Sequence, residues 1–430
     1  MHILVVGKSA FSREYGGHQV PITIAGHTSQ LMRPLIRWAR ARGFAVSYAS
    51  PLEPAGCLMT DPLDALPDGV LDVPFTDVQA AKAPLHIGYL SLEAAIRRAA
   101  EQQGPVDWVF LPYAFPLSPL LVSLRDRYGF KLALFLRGGD GYQWLDPQWP
   151  GAVEAFGGPE QARIAVGLYQ RSLAEADFVG VASAWLGSVV EGFGGRWDAV
   201  VESPAAMRLD PGERVWDKAA FAAAPDIRTR YGRLDPTRNW VVSAGRIHPD
   251  KNLDLAADIF AGAGLDDWQL VLAGAGDDEG VGDGSLGGLV GDGRAAVIEV
   301  PPRVIHALFE LSDAYLQTSL PSATFVDARP SSVTSAAFHG KPVVVPIASA
   351  GGVAESLSPE NLESYGFDVR ELRITEPAER AELVARGVRA LARLRDTGLR
   401  ERVGAANAQH AAESSVDAVF DKVWAHLGEQ

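Results

Sequence analysis

Short runs of consecutive apolar residues alternate with segments of helical periodicity along most of the chain. Such runs, apolar at successive positions, are typical of strands that are buried on both faces of a parallel sheet. The predicted strands of the first half are Ile3–Val6, Phe44–Tyr48, Trp108–Pro112, Leu132–Leu136, Phe178–Ala182 and Ala199–Glu202. Those of the second half are Trp240–Ala244, Leu270–Ala273, Val297–Val300, Ala314–Gln317 and Pro342–Pro346. The intervening helices include Gln30–Ala41, Ser91–Gln103, Gln161–Ala176 and Leu253–Ala261. This alternation predicts doubly wound α/β sheets.

The segment 207–239 interrupts the alternation. It contains three prolines, many charges and no sustained strand pattern. Because it follows one complete α/β series and precedes another, we predict two Rossmann-like domains, 1–206 and 240–400, joined by a linker at 207–239. The chain from Glu376 onwards is predicted to be helical, and the helix at 401–430 is expected to pack back on the N-terminal domain.

The segment Gly274–Gly293 is rich in glycine and aspartate. A calcium-binding glycine–aspartate repeat needs a regular period, and this segment has none. We therefore predict a surface loop.

Composition and charge narrow the classes of partner. Of the 430 residues, 47% are hydrophobic, enough for a large core. The 39 basic and 53 acidic residues give a net charge of −14, and neither half is basic, which argues against a nucleic acid or an anionic membrane as the main partner.

The single cysteine, Cys57, fits a reducing compartment. With no secretory signal pattern and no membrane-spanning stretch, we expect a soluble cytoplasmic protein. The nine histidines lack metal-ligand spacing, so no metal site is expected.

The segment from Val241 to Leu253 carries the strongest candidate chemistry. A predicted strand ends at Gly245, and Arg246 and Lys251 follow on the loop before a helix. Ligands of open α/β sheets bind beyond the carboxyl ends of the strands, where Arg can bind a diphosphate through its planar fork and Lys as a point charge. The alternative is that both are solvated loop charges.

The pattern Gly245-Arg246-x4-Lys251 resembles the donor-phosphate segment of retaining GT-B glycosyltransferases of the family 4 group. Further segments resemble that family in the same order, namely Tyr169–Ser183, Leu270–Asp277, Val297–Arg303, Gly340–Pro346 and Gly351–Glu355. The resemblance implies two Rossmann-like domains that face a central cleft, followed by a helical tail. It also implies that Gly245 belongs to the donor site and that Val300 and Pro302 hold the nucleotide base.

Two family glutamates, separated by seven residues, fall at Asp327 and Ser335. In the family the first acid contacts the donor sugar, so Asp327 is expected to accept hydrogen bonds from sugar hydroxyl groups. The second acid grips the ribose hydroxyls, and Ser335 offers a weaker, uncharged contact. The alternatives are a loop carboxylate at Asp327 and a capping hydroxyl at Ser335.

The usual glycine between the two acids is Pro330, which has no N–H to offer a phosphate. Ser331 and Ser332 follow it at the start of the predicted helix Ser331–Phe338. Their backbone amides are expected to bind the donor, because helix N-termini bind anions. Simple N-capping is the alternative.

Five further candidate residues lie in the N-terminal half. The family's glycine turn falls at Gly26 and His27, whose amides at a helix start are expected to face the donor phosphate. An inserted stretch that contains His18 is either a lid over the acceptor pocket or a surface hairpin. Arg137 and Asp140 follow a predicted strand, and they either pair with each other or contact the acceptor or the donor sugar.

The resemblance implies a metal-independent glycosyltransferase that uses a nucleoside diphosphate sugar as co-substrate, needs no other cofactor and retains the anomeric configuration. Arg246, Lys251 and helix-terminal amides would stabilise the leaving diphosphate, and a small molecule would be the acceptor. Two alternatives stay open because of Ser335 and Pro330. One is a GT-B sugar phosphorylase or another transferase with an atypical donor, and the other is a non-catalytic partner protein with the same fold.

Overall fold

Two sheets are built from the apolar runs that alternate with helices in the sequence. The computed structural model describes residues 1–7, 13–15, 18–20, 26–50, 66–75, 85–112, 114, 117–138, 142–208, 212–248, 251–276, 284–301, 304–321, 326–348, 350–370 and 376–428. The chain forms two compact units. Unit 1 comprises Met1–Ser203 and Val416–Gln430, and unit 2 comprises Pro204–Ser415.

The sheet of unit 1 is parallel throughout. The strands of the unit are β1 (His2–Val6), β2 (Arg13–Tyr15), β3 (His18–Val20), β4 (Ala45–Ala49), β5 (Val70–Asp72), β6 (Trp108–Leu111), β7 (Lys131–Leu136), β8 (Phe178–Val181) and β9 (Ala199–Val200). β2 and β3 pair with each other as an antiparallel hairpin. The other seven form one sheet in the order β5-β4-β1-β6-β7-β8-β9. The apolar side chains of β1 are completely buried, as expected for a central parallel strand.

The described helices of unit 1 connect successive strands. They are α1 (Gly26–Ala41), α2 (Leu85–Gln103), α3 (Ser118–Tyr128), α4 (Pro150–Phe156), α5 (Pro159–Glu175) and α6 (Ala184–Gly192). α1 begins at Gly26, four residues before the predicted helix start. None of the helices that the structure describes is long and apolar enough to span a membrane.

Unit 2 repeats the arrangement and adds one antiparallel edge strand. Its strands are β10 (Arg228–Gly232), β11 (Asn239–Ala244), β12 (Trp268–Ala273), β13 (Ala295–Glu299), β14 (Ala314–Leu316), β15 (Val343–Ile347) and β16 (Gly366–Asp368). They form one sheet in the order β10-β13-β12-β11-β14-β15-β16. Its helices are α7 (Lys218–Ala222), α8 (Leu253–Gly262), α9 (Gly284–Gly291), α10 (Ile305–Leu311), α11 (Ser331–Phe338), α12 (Pro359–Tyr365), α13 (Pro377–Ala392) and α14 (Thr397–His410).

The segment predicted as a linker, 207–239, differs from that expectation. It contains α7 and the edge strand β10, which pairs antiparallel with β13 inside unit 2. The sequence pattern missed this strand because an edge strand needs no continuous apolar run. Arg228 and Thr229, its first residues, are exposed and polar. The predicted surface loop 274–293 also differs, since it contains α9, whose Leu286 and Leu289 are buried in the core.

The last helix of the chain returns to unit 1. α15 (Val416–Gly428) packs on α1, and its Phe420 lies 5.7 Å from the ring of Trp38. The indole N–H of Trp38 donates a hydrogen bond of 2.9 Å to Asp421. The preceding helix, α14, belongs to unit 2, so the chain changes units at 415/416 and not at 400/401 as predicted.

The strand order of each sheet reverses once. In unit 2, β12 and β13 lie on one side of β11, whereas β14 and β15 lie on the other. The connections from β11 and β14 therefore leave the sheet in opposite directions. The carboxyl ends of two such strands form the crevice where open α/β sheets bind ligands.

Glycine permits a close backbone approach at this crevice. The amide of Gly245 donates to the carbonyl oxygen of Ala273, and that of Ile247 donates to Ala275, both at 2.9 Å. A Cβ atom at Gly274 would lie 1.7 Å from the carbonyl oxygen of Gly245, well inside van der Waals contact. Gly274 therefore fixes where the loop after β11 runs.

We expect Gly274→Ala to lower the stability of unit 2 by about 2 kcal/mol, because the added methyl group must displace the backbone at Gly245. The urea midpoint of unfolding measures this change. Gly288→Ala is the matched control. Its Cβ would have no atom within 4 Å, and alanine is preferred to glycine inside a helix, so a gain of about 0.5 kcal/mol is expected. Equal midpoints for the two variants would contradict the close approach.

Candidate functional site

A small cavity lies at the carboxyl ends of β11 and β14, where the strand order of unit 2 reverses. The loop after β11 contributes the exposed residues Gly245 and Arg246, and the residues after β14 contribute a run of polar side chains. The cavity is lined by Ser243, Ala244, Gly245, Arg246, Ile247, Lys251, Leu253, Leu272, Ala273, Gln317, Thr318 and Ser319. Both cations that the sequence singled out therefore line one cavity.

Lys251 and Asp327 form an ion pair at this cavity. The Lys251 Nζ atom lies 3.1 Å from Oδ1 and 3.0 Å from Oδ2 of Asp327. The side chains are only 19% and 12% exposed, so water screens the pair weakly. Gln317 donates a further hydrogen bond of 3.0 Å to Oδ2. The carboxylate is thus held by a cation and an amide from two different loops.

The backbone at Lys251 is fixed from several sides. Its amide donates to the carbonyl oxygen of His248, and its own carbonyl oxygen accepts a 2.8 Å hydrogen bond from the Thr318 hydroxyl. The Asn252 side-chain amide donates to the carbonyl oxygen of Thr318 at 3.2 Å. Asn252 has a left-handed backbone conformation (φ 49°), which asparagine tolerates better than most residues, and it directly precedes α8. Hydrogen bonds that involve Lys251 and Asn252 consequently join the loop after β11 to the residues after β14.

Arg246 differs from Lys251 in its environment. It is exposed, and it forms no hydrogen bond or ion pair with the residues that the structure describes. The Lys251 side chain passes beside Gly245, because a Cβ atom on Gly245 would lie 3.7 Å from the Lys251 Cε atom. The cavity thus combines one neutralised cation with one cation that faces solvent.

Tyr315 joins β14 to the end of β11. Its hydroxyl accepts a hydrogen bond from the Ala244 amide at 3.1 Å and donates one to the Ala244 carbonyl oxygen at 3.0 Å. Complete burial raises the pKa of the Tyr315 phenol to about 12, even though hydrogen bonds from Ser332 and Ala244 act in the opposite direction. The phenol is therefore neutral at physiological pH and serves to position the strand end that leads to Gly245.

Helix α11 carries the predicted serines, and its hydroxyl groups are largely occupied. Ser335 is 1% exposed, and its hydroxyl donates to the Ser331 carbonyl oxygen and accepts from the Ala206 amide, both at 2.7 Å. His339 donates a 2.8 Å hydrogen bond to the Ala206 carbonyl oxygen. The interpretation of Ser335 as a ribose contact therefore needs correction, because in this structure its hydroxyl attaches residue 206 to α11. Ser332, in contrast, forms a hydrogen bond with the Tyr315 phenol.

Other predicted donor residues lie elsewhere in unit 2 or outside the described residues. Val300 follows β13 and is 6% exposed within the core, and Pro302 is not among the described residues. Ser331 is buried at the start of α11 behind Pro330, whose carbonyl oxygen accepts the Val333 amide.

The predicted residues of unit 1 are only partly described. Arg137 donates hydrogen bonds to the Val201 carbonyl oxygen, at 2.6 Å, and to the Ser203 hydroxyl. These contacts attach Arg137 to the end of unit 1, and its pairing with Asp140 stays a prediction. Asp140 lies outside the described residues. His18 lies in β3, whereas Gly26 and His27 form the first residues of α1.

Within the described residues, no group of three or more His, Cys, Asp or Glu side chains is arranged to hold a metal ion.

Sequence reasoning missed four residues of this site, namely Asn252, Gln317, Thr318 and Ser319. Three of them come directly at or after the end of the predicted strand Ala314–Gln317. The rule that selected Arg246, a polar side chain just beyond a buried strand, applies equally to them.

No protein-family model and no curated protein sequence matches this chain. Solved structures do match it over its whole length. Anabaena HepE in complex with UDP-glucose is 15% identical, with a TM-score of 0.60 and complete coverage of both chains. The E. coli trehalose-6-phosphate structure with bound UDP-2-fluoro glucose is 12% identical, with a TM-score of 0.58 and 99% coverage of both. The α,α-trehalose 6-phosphate synthase of Burkholderia multivorans is 14% identical, with a TM-score of 0.57, and the match covers 99% of this chain and 98% of that one. These neighbours are GT-B glycosyltransferases, and this chain has the GT-B fold.

Proposed function

We propose that this protein is a glycosyltransferase that moves a sugar from a nucleoside diphosphate sugar to a small-molecule acceptor. The observation that carries this proposal is the presence of Arg246 and Lys251 in one cavity at the strand-order reversal of unit 2. The fold similarity to glycosyltransferases that bind UDP or UDP-glucose supports it. Unit 2 would bind the donor, and unit 1 would bind the acceptor.

The diphosphate of the donor would bind at the two cations. Arg246 is exposed and can offer its planar fork to two phosphate oxygens. Lys251 would move from Asp327 to the diphosphate or contact both groups, since an ammonium has three donors. As Lys251 turns to the phosphate, the Asp327 carboxylate would become available to accept hydrogen bonds from the donor sugar.

In the transfer, the bond between the anomeric carbon and the phosphate oxygen breaks, and a bond to the acceptor oxygen forms. The acceptor proton passes to an oxygen of the leaving diphosphate. Arg246 and Lys251 stabilise the charge that develops there. We infer that two protein cations suffice for this role, so that no metal ion is required. Retention of the anomeric configuration belongs to the proposal and rests on the family 4 resemblance.

Two measurements test the reaction. Calorimetric titration with UDP, GDP, ADP and dTDP, in the presence of EDTA, identifies the base, and one clear binder is expected. The corresponding sugar conjugate, incubated with candidate acceptors, should give a glycoside whose anomeric configuration, read by NMR, equals that of the donor. If no conjugate and no diphosphate binds, the proposed function is wrong. Binding without transfer to any acceptor would favour a non-catalytic partner protein.

Removal of Arg246 should weaken donor binding without loss of stability. We expect Arg246→Ala to raise the Kd of the nucleoside diphosphate at least tenfold, because a hydrogen bond to a charged group contributes about 1.5–3 kcal/mol. Its unfolding midpoint should not change, since the side chain is exposed. Lys422→Ala, which removes an exposed charge on α15, controls for net charge and should leave the Kd unchanged. A Kd that rises equally in both variants would exclude a specific role for Arg246.

Removal of Lys251 should affect both donor binding and stability. We expect Lys251→Ala to weaken diphosphate binding and also to lower stability by about 3 kcal/mol, because the Asp327 carboxylate loses its cation while it stays buried. In the double variant Lys251→Ala/Asp327→Ala the carboxylate is absent, so stability should recover in part while binding stays weak. Urea unfolding and calorimetry measure the two effects. If the double variant loses more stability than the two single variants lose together, this account is contradicted.

A further inference from the structure

A buried hydroxyl group without a partner lies beside the two cations. Ser319 is 6% exposed, and within the described residues its Oγ atom has no hydrogen-bond partner. A hydroxyl group that is removed from water without a compensating hydrogen bond lowers the stability of the folded state. The group lines the same cavity as Arg246 and Lys251. A ligand that binds there would therefore find an unused donor already in place.

The position of Ser319 is set by its neighbours. Gln317 donates to the Asp327 carboxylate, and Thr318 donates to the Lys251 carbonyl oxygen. The Thr318 carbonyl oxygen in turn accepts from Asn252. Thr318 is thus engaged with the loop that follows β11, and Gln317 with the segment before α11. Because these contacts hold the Thr318 side chain and its carbonyl oxygen, they also set the position of the next residue at the cavity.

The other end of the same strand offers a comparison. Ser312, which precedes β14, is 2% exposed, and its hydroxyl donates a 2.9 Å hydrogen bond to the Phe309 carbonyl oxygen. Both serines are buried and both flank β14, but among the residues that the structure describes only Ser312 has a hydrogen-bond partner for its hydroxyl. Ordinary packing therefore accounts for Ser312 and leaves the Ser319 hydroxyl unexplained.

We propose that Ser319 is a binding residue for an oxyanion, and that its hydroxyl donates to a phosphate oxygen of a bound diphosphate. The cations in the same cavity determine the chemical class of the ligand, because Arg246 and Lys251 favour a multiply charged anion over a neutral group. This inference rests on the proposed function, in which that diphosphate is part of the donor. Ser319 adds a short, uncharged donor to the two long cationic side chains, and so would orient the phosphate as well as attract it.

The test compares Ser319→Ala with Ser312→Ala in the full-length protein. The ligands are inorganic pyrophosphate and UDP, and calorimetry gives each Kd. We expect Ser319→Ala to raise both Kd values about tenfold, the effect of one lost hydrogen bond to a charged group. Its thermal unfolding midpoint without ligand should equal or exceed that of the wild type, because the variant removes an unsatisfied buried group. Ser312→Ala should do the opposite, with a lower midpoint and unchanged Kd values.

Three outcomes would overturn the inference. If Ser319→Ala binds pyrophosphate and UDP as tightly as the wild type does, Ser319 makes no ligand contact and the proposed function stands. If Ser319→Ala lowers the unfolding midpoint as much as Ser312→Ala does, its hydroxyl has a structural partner. If the wild type binds neither ligand, the cavity takes no diphosphate, and the inference fails together with a UDP-dependent function. Binding of pyrophosphate but not UDP, weakened by Ser319→Ala, would support the oxyanion contact and refute UDP as the nucleotide.

Discussion

The ion pair between Lys251 and Asp327 determines the character of the site in unit 2. It joins the loop after β11 to the segment before α11, and both side chains are largely buried. A buried ion pair is seldom a net gain in stability over apolar residues of similar size, because two charges must leave water. Its presence at the strand-order reversal therefore points to a role other than stability. In the proposed function, a diphosphate competes with Asp327 for Lys251, so the pair would hold both groups ready for the donor.

The surrounding backbone keeps this pair in place. Gly274 allows the loop after β11 to approach β12 closely, and Tyr315 holds the end of β11 from the other side. Thr318 and Asn252 then connect Lys251 to the residues after β14. These contacts lie at or near the carboxyl ends of β11, β12 and β14, whose central residues are buried. Arg246, in contrast, is exposed.

The sequence predicted the fold well where burial is continuous. Parallel strands such as β11 and β12 are apolar at nearly every position, and the rule that ligands bind beyond such strands led directly to Arg246 and Lys251. The prediction failed for β10, an edge strand with polar exposed residues. It also failed for α9, because its glycine-rich sequence is typical of a loop. Ser335 was misinterpreted because its partner, Ala206, lies 129 residues away in the sequence. Contacts of that separation leave no local pattern.

The central claim is that a diphosphate binds at the carboxyl ends of β11 and β14. Amide hydrogen exchange of the full-length protein, measured with and without saturating nucleoside diphosphate, tests it most directly. Slower exchange is expected in residues 243–252 and 317–321, because a bound ligand shields their amides and suppresses local opening. Little change is expected in the central strands of unit 1, such as β1, which are already buried. Protection of another segment, with these two unchanged, would place the ligand elsewhere and contradict the account.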